Sequence, residues 1–266
     1  MLALIPTGGG AQTAEQAAPA VVESAAPPQG GEPLILADLG LELLPIPAGT
    51  FTMGSPANES GRGSDEGPPT QVTLREFWLG KTEVTQAQWQ AVMGKNLSHF
   101  KGPTLPVERV SWDEAMTFCR KLTERERAAG RLPEGYAYQL PTEAQWEYAC
   151  RAGTTGAYAG SLDAMAWYGA NSGFRTQPVA TKQANAWGLH DMHGNVWEWC
   201  LDWYADKFPG GSTSEPRGAA SGTYRVYRGG SWGNSADRCR SALRLGYPPV
   251  NRNFILGFRL ALTPSP

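Results

Sequence analysis

With 266 residues the chain can bury one large core or two small ones, and its composition favours one domain preceded by a tail. Its 23 Lys and Arg are spread among 25 Asp and Glu for a net charge of -2. That excludes a general nucleic-acid binder, because no basic patch emerges. No apolar run reaches the roughly 18 residues a membrane span needs, so no transmembrane segment is expected.

Residues 1–38 differ from the rest. The stretch AQTAEQAAPAVVESAAPPQGGEP buries too little apolar surface to offset its chain entropy, so a disordered leader is expected through residue 38. The opening MLALIP is apolar, but no Lys or Arg precedes Arg62, so the basic start of a secretory signal is missing. An extracytoplasmic or cell-surface location is expected without a complete signal peptide.

Next, LILADLGLELLPIPAGTFTMGS alternates apolar residues with turn formers and reads as strands joined by tight turns. Three helices follow, each announced by its cap. Thr85 opens a run that stops at Gly94, Ser111 with Glu114 opens one that stops at Gly130, and Thr142 with Gln145 opens one that stops at Gly153. In the second helix Trp112, Ala115, Phe118, Cys119 and Leu122 share one side and are expected in the core. Beyond Gly153 the chain reads as strand and loop, ending in LGFRLAL with period-two alternation. Ten Trp, 32 Gly and 21 Pro point to loops packed together by large rings. The order of elements predicts an α+β fold with little regular structure and long structured loops.

Seven segments carry a resemblance: IPAGTFTMGS, KTEVTQAQW, PVERVSWDEAMTFC, LPTEAQWEYACRAG, GLHDMHGNVWEW, YRGGSW and LGFRLAL. In this order they resemble the formylglycine-generating, or sulfatase-modifying factor, family over about residues 40–263. The resemblance implies a variant of the C-type lectin fold, with residues 39–266 as one domain and long loops fixed by bound calcium.

The segment DMHGNVWE is the strongest candidate site. Asp191 and Glu198 supply carboxylates, and the intervening glycine allows a turn that aims main-chain carbonyls at the same point. Such hard oxygen donors are what calcium takes. The resemblance implies a structural calcium held by the side chains of Asp191 and Glu198 and the carbonyls of Gly194 and Val196. The competing reading pairs Glu198 with an arginine and leaves Asp191 to cap a turn. His99, His190 and His193 lack metal-binding spacing, so iron is not expected, and His193 is expected to be exposed in its turn.

Cysteine chemistry separates an enzyme from a binder. The oxidases of the family carry two active-site cysteines that bind copper(I), a soft ion that selects thiolates. Here the segment after GGSW holds only Cys239 and is shorter than in the enzymes, so copper is not expected. The four cysteines, Cys119, Cys150, Cys200 and Cys239, either pair as Cys119–Cys150 and Cys200–Cys239 or remain buried thiols.

Between residues 233 and 256 small, polar and large apolar residues follow one another without periodicity, interrupted by Arg240, Arg244 and Arg252. Such irregular backbone with outward aromatics suits a recognition surface, the competing reading being loop packing around the arginines. This stretch also resembles the variable segment of proteins diversified by bacterial retroelements, which share the lectin-type scaffold. Adenine mutagenesis there cannot easily produce Lys, Glu, Gln, Met or Trp, and residues 233–256 contain none of these.

The expected function is therefore binding of a protein or small-molecule ligand by a monomer. The expected contact residues are Gly233, Asn234, Ala236, Asp237, Leu243, Leu245, Tyr247, Val250, Asn253, Phe254 and Ile255. Replacing Tyr247 and Phe254 by Ala is expected to remove binding at little cost in stability. The alternative is a sulfatase-modifying or related thiol-dependent oxidase with Cys239 as its catalytic residue.

Overall fold

A computed structural model describes residue 1 and residues 31–265. Most of the expected leader lies outside the described residues, and the described part corrects its boundary. Leu34–Leu36 forms strand β1, paired antiparallel with β2 (Leu41–Ile46). Leu36 faces the core at 3 % exposure, so the folded part begins before residue 39.

The chain continues through β3 (Gly49–Met53), β4 (Thr70–Leu74) and β5 (Phe77–Gly80). It then forms α1 (Gln86–Met93), α2 (Trp112–Ala128), β6 (Tyr136–Gln139), α3 (Glu143–Arg151) and α4 (Leu162–Met165). Strands β7 (Trp197–Trp203), β8 (Gly211–Ser214), β9 (Arg225–Arg228), β10 (Arg244–Tyr247), β11 (Leu256–Gly257) and β12 (Ala261–Pro264) complete it. This is the α+β architecture expected. Among the described residues the strands form a five-stranded sheet (β1-β2-β5-β12-β6), a four-stranded sheet (β10-β9-β7-β11) and a three-stranded sheet (β3-β4-β8).

The three expected helix starts are reciprocal capping boxes. Thr85, Ser111 and Thr142 each accept from the backbone N–H three residues on, whose Gln or Glu side chain accepts from the cap's own N–H. These bonds satisfy N–H groups that a helix start leaves unpaired. The short α4 was not foreseen: it spans four residues and its Ser161 makes no side-chain cap.

Two cores result. The first surrounds α2, where Ala115, Phe118, Cys119 and Leu122 are buried as expected and Trp112, expected beside them, is only half-buried against the core. Trp89 stacks on Phe118 at 5.6 Å, and both meet Phe258 edge-on. The second surrounds α3, all nine residues of which are buried. The alternation in LGFRLAL does not mark one wet face, because every residue from Leu256 to Leu262 is buried. The four cysteines are free and buried, which corrects the pairings weighed above. Cys119 lies in the first core and Cys150 and Cys200 in the second, while Cys239 is buried beneath the C-terminal loops; all behave as small apolar groups.

Candidate functional site

The C-terminal loops rest on buried ion pairs. Arg228 on β9 reaches Glu147 of α3 and donates to the carbonyls of Ser241, Ala242 and Leu243 at 2.8–3.0 Å. Arg240 holds both oxygens of Glu66 (2.6 and 2.8 Å), Glu59 (2.6 Å) and the carbonyl of Gly61 (2.5 Å). Arg244 grips Glu143 through two bonds of 2.6 Å. Arg252, by contrast, pairs with Glu114 near the surface. The sequence singled out Arg240, Arg244 and Arg252 but not their pairing with Glu66, Glu143 and Glu114. Glu143 and Glu147 are four apart on one face of α3, and that was the available signal.

Around DMHGNVWE, the carboxylate of Glu198 pairs with Arg259. Oε2 accepts from Arg259 Nε (2.6 Å) and Trp146 Nε1 (2.7 Å), and Oε1 accepts from Arg259 Nη2 (2.7 Å). Asp191 Oδ2 accepts from the Ala180 N–H at 2.8 Å, while its Oδ1 is buried without a hydrogen-bond partner. Glu83, not foreseen from sequence, accepts from the Val196 N–H and Asn195 Nδ2. Burial, and then the charges of Asp191 and Glu198, raise Glu83 well above the ordinary carboxylate range; burial pushes Asp191 up to about 6. The turn is tight: a Cβ on Gly194 (φ +89°) would lie 2.2 Å from the Trp167 carbonyl. Val196 is fully buried beside it.

Among the described residues no group of three or more His, Cys, Asp or Glu side chains is placed to hold a metal ion. An ion at this turn would therefore depend on main-chain carbonyls. What the turn offers an ion is the unpartnered Asp191 Oδ1 and the open acceptor site on Glu198 Oε1, which already holds one donor.

His193 corrects the expectation of exposure, at 1 %. Its Nδ1 lies 2.7 Å from the Cys239 carbonyl and its Nε2 accepts from the Ala159 N–H at 3.1 Å. Those bonds suit the neutral Nδ1–H tautomer, and burial lowers the pKa to about 4. Cys239 is 0 % exposed, and burial pushes its thiol up to about 12.

The expected contact residues divide. Gly233, Asp237, Val250 and Phe254 are exposed; Ala236, Asn234, Leu245, Tyr247, Asn253 and Ile255 are half-buried. Leu243 is a correction: at 7 % exposure it belongs to the first core. Tyr247 is also less free than expected, since its ring stacks on Trp199 at 6.3 Å and meets Tyr227 at 6.1 Å. Asn234 Oδ1 accepts from Trp197 Nε1 (2.8 Å) and Ser231 Oγ (2.6 Å).

Phe254, 44 % exposed, packs against Trp232 (5.7 Å) and His99 (5.6 Å). Phe100 meets both of these edge-on, and the Arg175 guanidinium lies 5.7 Å from its centroid. This four-ring patch was missed in the sequence, because His99 and Phe100 lie more than 130 positions from Trp232 in an unpatterned loop.

Such a scaffold, with irregular loops clamped onto small curled sheets, is of the C-type lectin kind. Residues 39–264 match the sulfatase-modifying factor enzyme 1-like domain, and the chain belongs to that family. It is 29 % identical to the formylglycine-generating enzyme of Mus musculus over 87 % of this chain and 77 % of that one. The chaperone protein LppX of Paenibacillus barcinonensis is 34 % identical over 62 % of this chain and 72 % of its own. Among solved structures, Treponema denticola variable protein 1 superposes with a TM-score of 0.77 at 35 % identity, covering 86 % of this chain and 98 % of that one. PvdO from Pseudomonas aeruginosa gives 0.78 at 28 % identity, with coverages of 88 % and 98 %.

Proposed function

We propose that the protein is a binding module whose C-terminal segment 233–255 meets a protein or small-molecule ligand through Phe254, beside the neighbouring rings of His99 and Phe100 and over the buried Trp232. The observation that carries this reading is an exposed aromatic side chain on irregular backbone, packed against Trp232 and His99. Rigidly held aromatics contribute large contact area at little entropic cost. The state of Cys239 supports binding over oxidation. The thiolate is the reactive, copper-binding form, and a fully buried thiol held near pKa 12 stays protonated.

Similarity to a protein named as variable supports reading segment 233–255 as a diversified surface. A template repeat and a reverse transcriptase near the gene test that part. Calcium at Asp191, Glu198 and the carbonyls of Gly194 and Val196 is proposed as the structural ion. The unpartnered buried Oδ1 of Asp191 supports it.

The functional test is photocrosslinking from benzoylphenylalanine at position 254, followed by binding of the captured molecule in purified form. Phe254→Ala should weaken that binding at least tenfold with an unchanged melting temperature. Equal binding by wild type and Phe254→Ala refutes the assignment. Oxygen consumption with aldehyde formed on a cysteine peptide, lost in Cys239→Ser, establishes the oxidase alternative instead.

A further inference from the structure

A concavity lies beneath the β3-β4-β8 sheet and shares only Arg244 with the C-terminal segment. It is a cavity of ≈ 430 Å³ whose walls include Met53, Val72, Ala144 and Phe208. That volume falls in the range of small-molecule sites, which combine apolar walls with a few convergent polar groups.

Its polar groups are unevenly matched. Glu143 is neutralised by Arg244 through two bonds of 2.6 Å. Asp202 is 3 % exposed; its Oδ2 accepts from the Glu143 N–H at 2.8 Å, and its Oδ1 has no hydrogen-bond partner among the described residues. Of the two cations whose charges reach it, Arg244 is held by Glu143 and Arg225 is committed elsewhere. Its guanidinium lies 3.8 Å from the centroid of Trp112 and 3.4 Å from that of Trp203, and it donates to the Leu201 carbonyl. Burial, and then the charge of Glu143, push Asp202 up to about 7. At the mouth Lys207 and Arg217 are exposed, and neither enters a salt bridge among the described residues. The backbone closes tightly over the acid: a Cβ on Gly218 (φ +69°) would lie 2.7 Å from Asp202 Cβ.

We infer that this cavity binds a small zwitterion with an apolar body, an apolar amino acid or dipeptide. Its ammonium meets Asp202, its carboxylate meets Lys207 or Arg217, and its side chains lie against Met53, Val72 and Phe208. A buried carboxylate with no cation bonded to it selects a cationic donor, because pairing offsets the cost of its desolvation. The two mouth cations repel a simple amine and favour a ligand that carries its own anion.

The test is calorimetric titration with L-leucine and L-leucyl-L-leucine, each beside its N-acetylated form and its C-terminal amide. Saturable binding of at least one zwitterion is expected, weakened at least tenfold by N-acetylation and several-fold by amidation. Asp202→Asn keeps an acceptor for the Glu143 N–H and should lose about as much as acetylation does, with acetylation costing little further. Lys207→Ala with Arg217→Ala, both at exposed positions, should abolish only the distinction between acid and amide. These two keep the proposal testable if Asp202→Asn fails to fold. No saturable binding by either zwitterion at 10 mM, probes that bind equally with and without their ammonium, or indifference to these substitutions overturns the assignment.

Discussion

Replacing Arg240 by Met should be among the most damaging single changes in the molecule. The guanidinium is 2 % exposed and makes charge-assisted bonds to Glu66, itself fully buried, and to Glu59. Burial would raise the Glu66 carboxyl, and the Arg240 bonds override it, holding the group below the ordinary carboxylate range. Methionine fills much of the volume but leaves a buried carboxylate unpaired, which costs about 3–5 kcal/mol. For a domain of this size that lowers the melting temperature by roughly 10 °C. Scanning calorimetry at pH 7 reads the loss. A double variant, Arg240→Met with Glu66→Gln, removes the stranded charge and should recover part of it. The sign with pH follows: a depressed folded pKa stabilises above the unfolded value of 4.5, and the contribution fades as pH falls below it. A single-variant loss under 1 kcal/mol, or no recovery in the double, refutes the idea that this pair clamps the loop.

Three further expectations can be checked alongside. His193, lowered to about 4 from an ordinary 6.5, lets the unfolded chain bind more protons between those values. Between pH 7 and 4 it should therefore cost wild type about 3 kcal/mol relative to His193→Gln, read as the difference of two urea-denaturation series. Parallel series would contradict the buried neutral imidazole. Leu243→Ala should cost about 2–4 kcal/mol as a core truncation, whereas Phe254→Ala should stay within about 0.5 kcal/mol; equal losses would place Phe254 in the core. Under the proposed calcium site, chelation should lower the melting temperature of wild type and leave Asp191→Asn less affected. A wild type indifferent to chelator and to added calcium removes the ion from the account.

Local chemistry was legible in the sequence, and partnerships across the chain were not. Thr85, Ser111 and Thr142 revealed three helix starts because a capping box is complete within four residues. The residues of α2 facing the core were legible from spacing alone. His193 misled because its burial depends on Ala159 and Cys239, which lie far from it in the chain. The leader boundary missed β1 because three residues of strand gain their stability from β2, not from their own composition. At the candidate calcium turn both readings of Glu198 were visible beforehand. The choice of Arg259 as its partner, and the presence of Glu83, required the fold.

The way the C-terminal segment is held bears on how it can be used. Most of its anchors take main-chain atoms. Arg228 binds the carbonyls of Ser241, Ala242 and Leu243, Tyr158 that of Ala236, and Arg240 that of Asp237. Backbone N–H groups of Gly169, Arg109 and Trp197 bond the carbonyls of Asn234, Asn253 and Ile255. A carbonyl is present whatever side chain its residue carries, so these bonds survive substitution at the positions they fix. The outward side chains of Asp237, Val250 and Phe254, and the exposed Gly233, then contribute little to folding, and surface changes of that kind usually alter stability by less than about 0.5 kcal/mol. Asn234, Arg240 and Arg244 depart from this scheme, because their own side chains take the Trp197 indole N–H and the carboxylates of Glu66 and Glu143. A loop held mainly by its backbone can therefore exchange its exposed residues while keeping its shape, as a recognition surface open to sequence change requires.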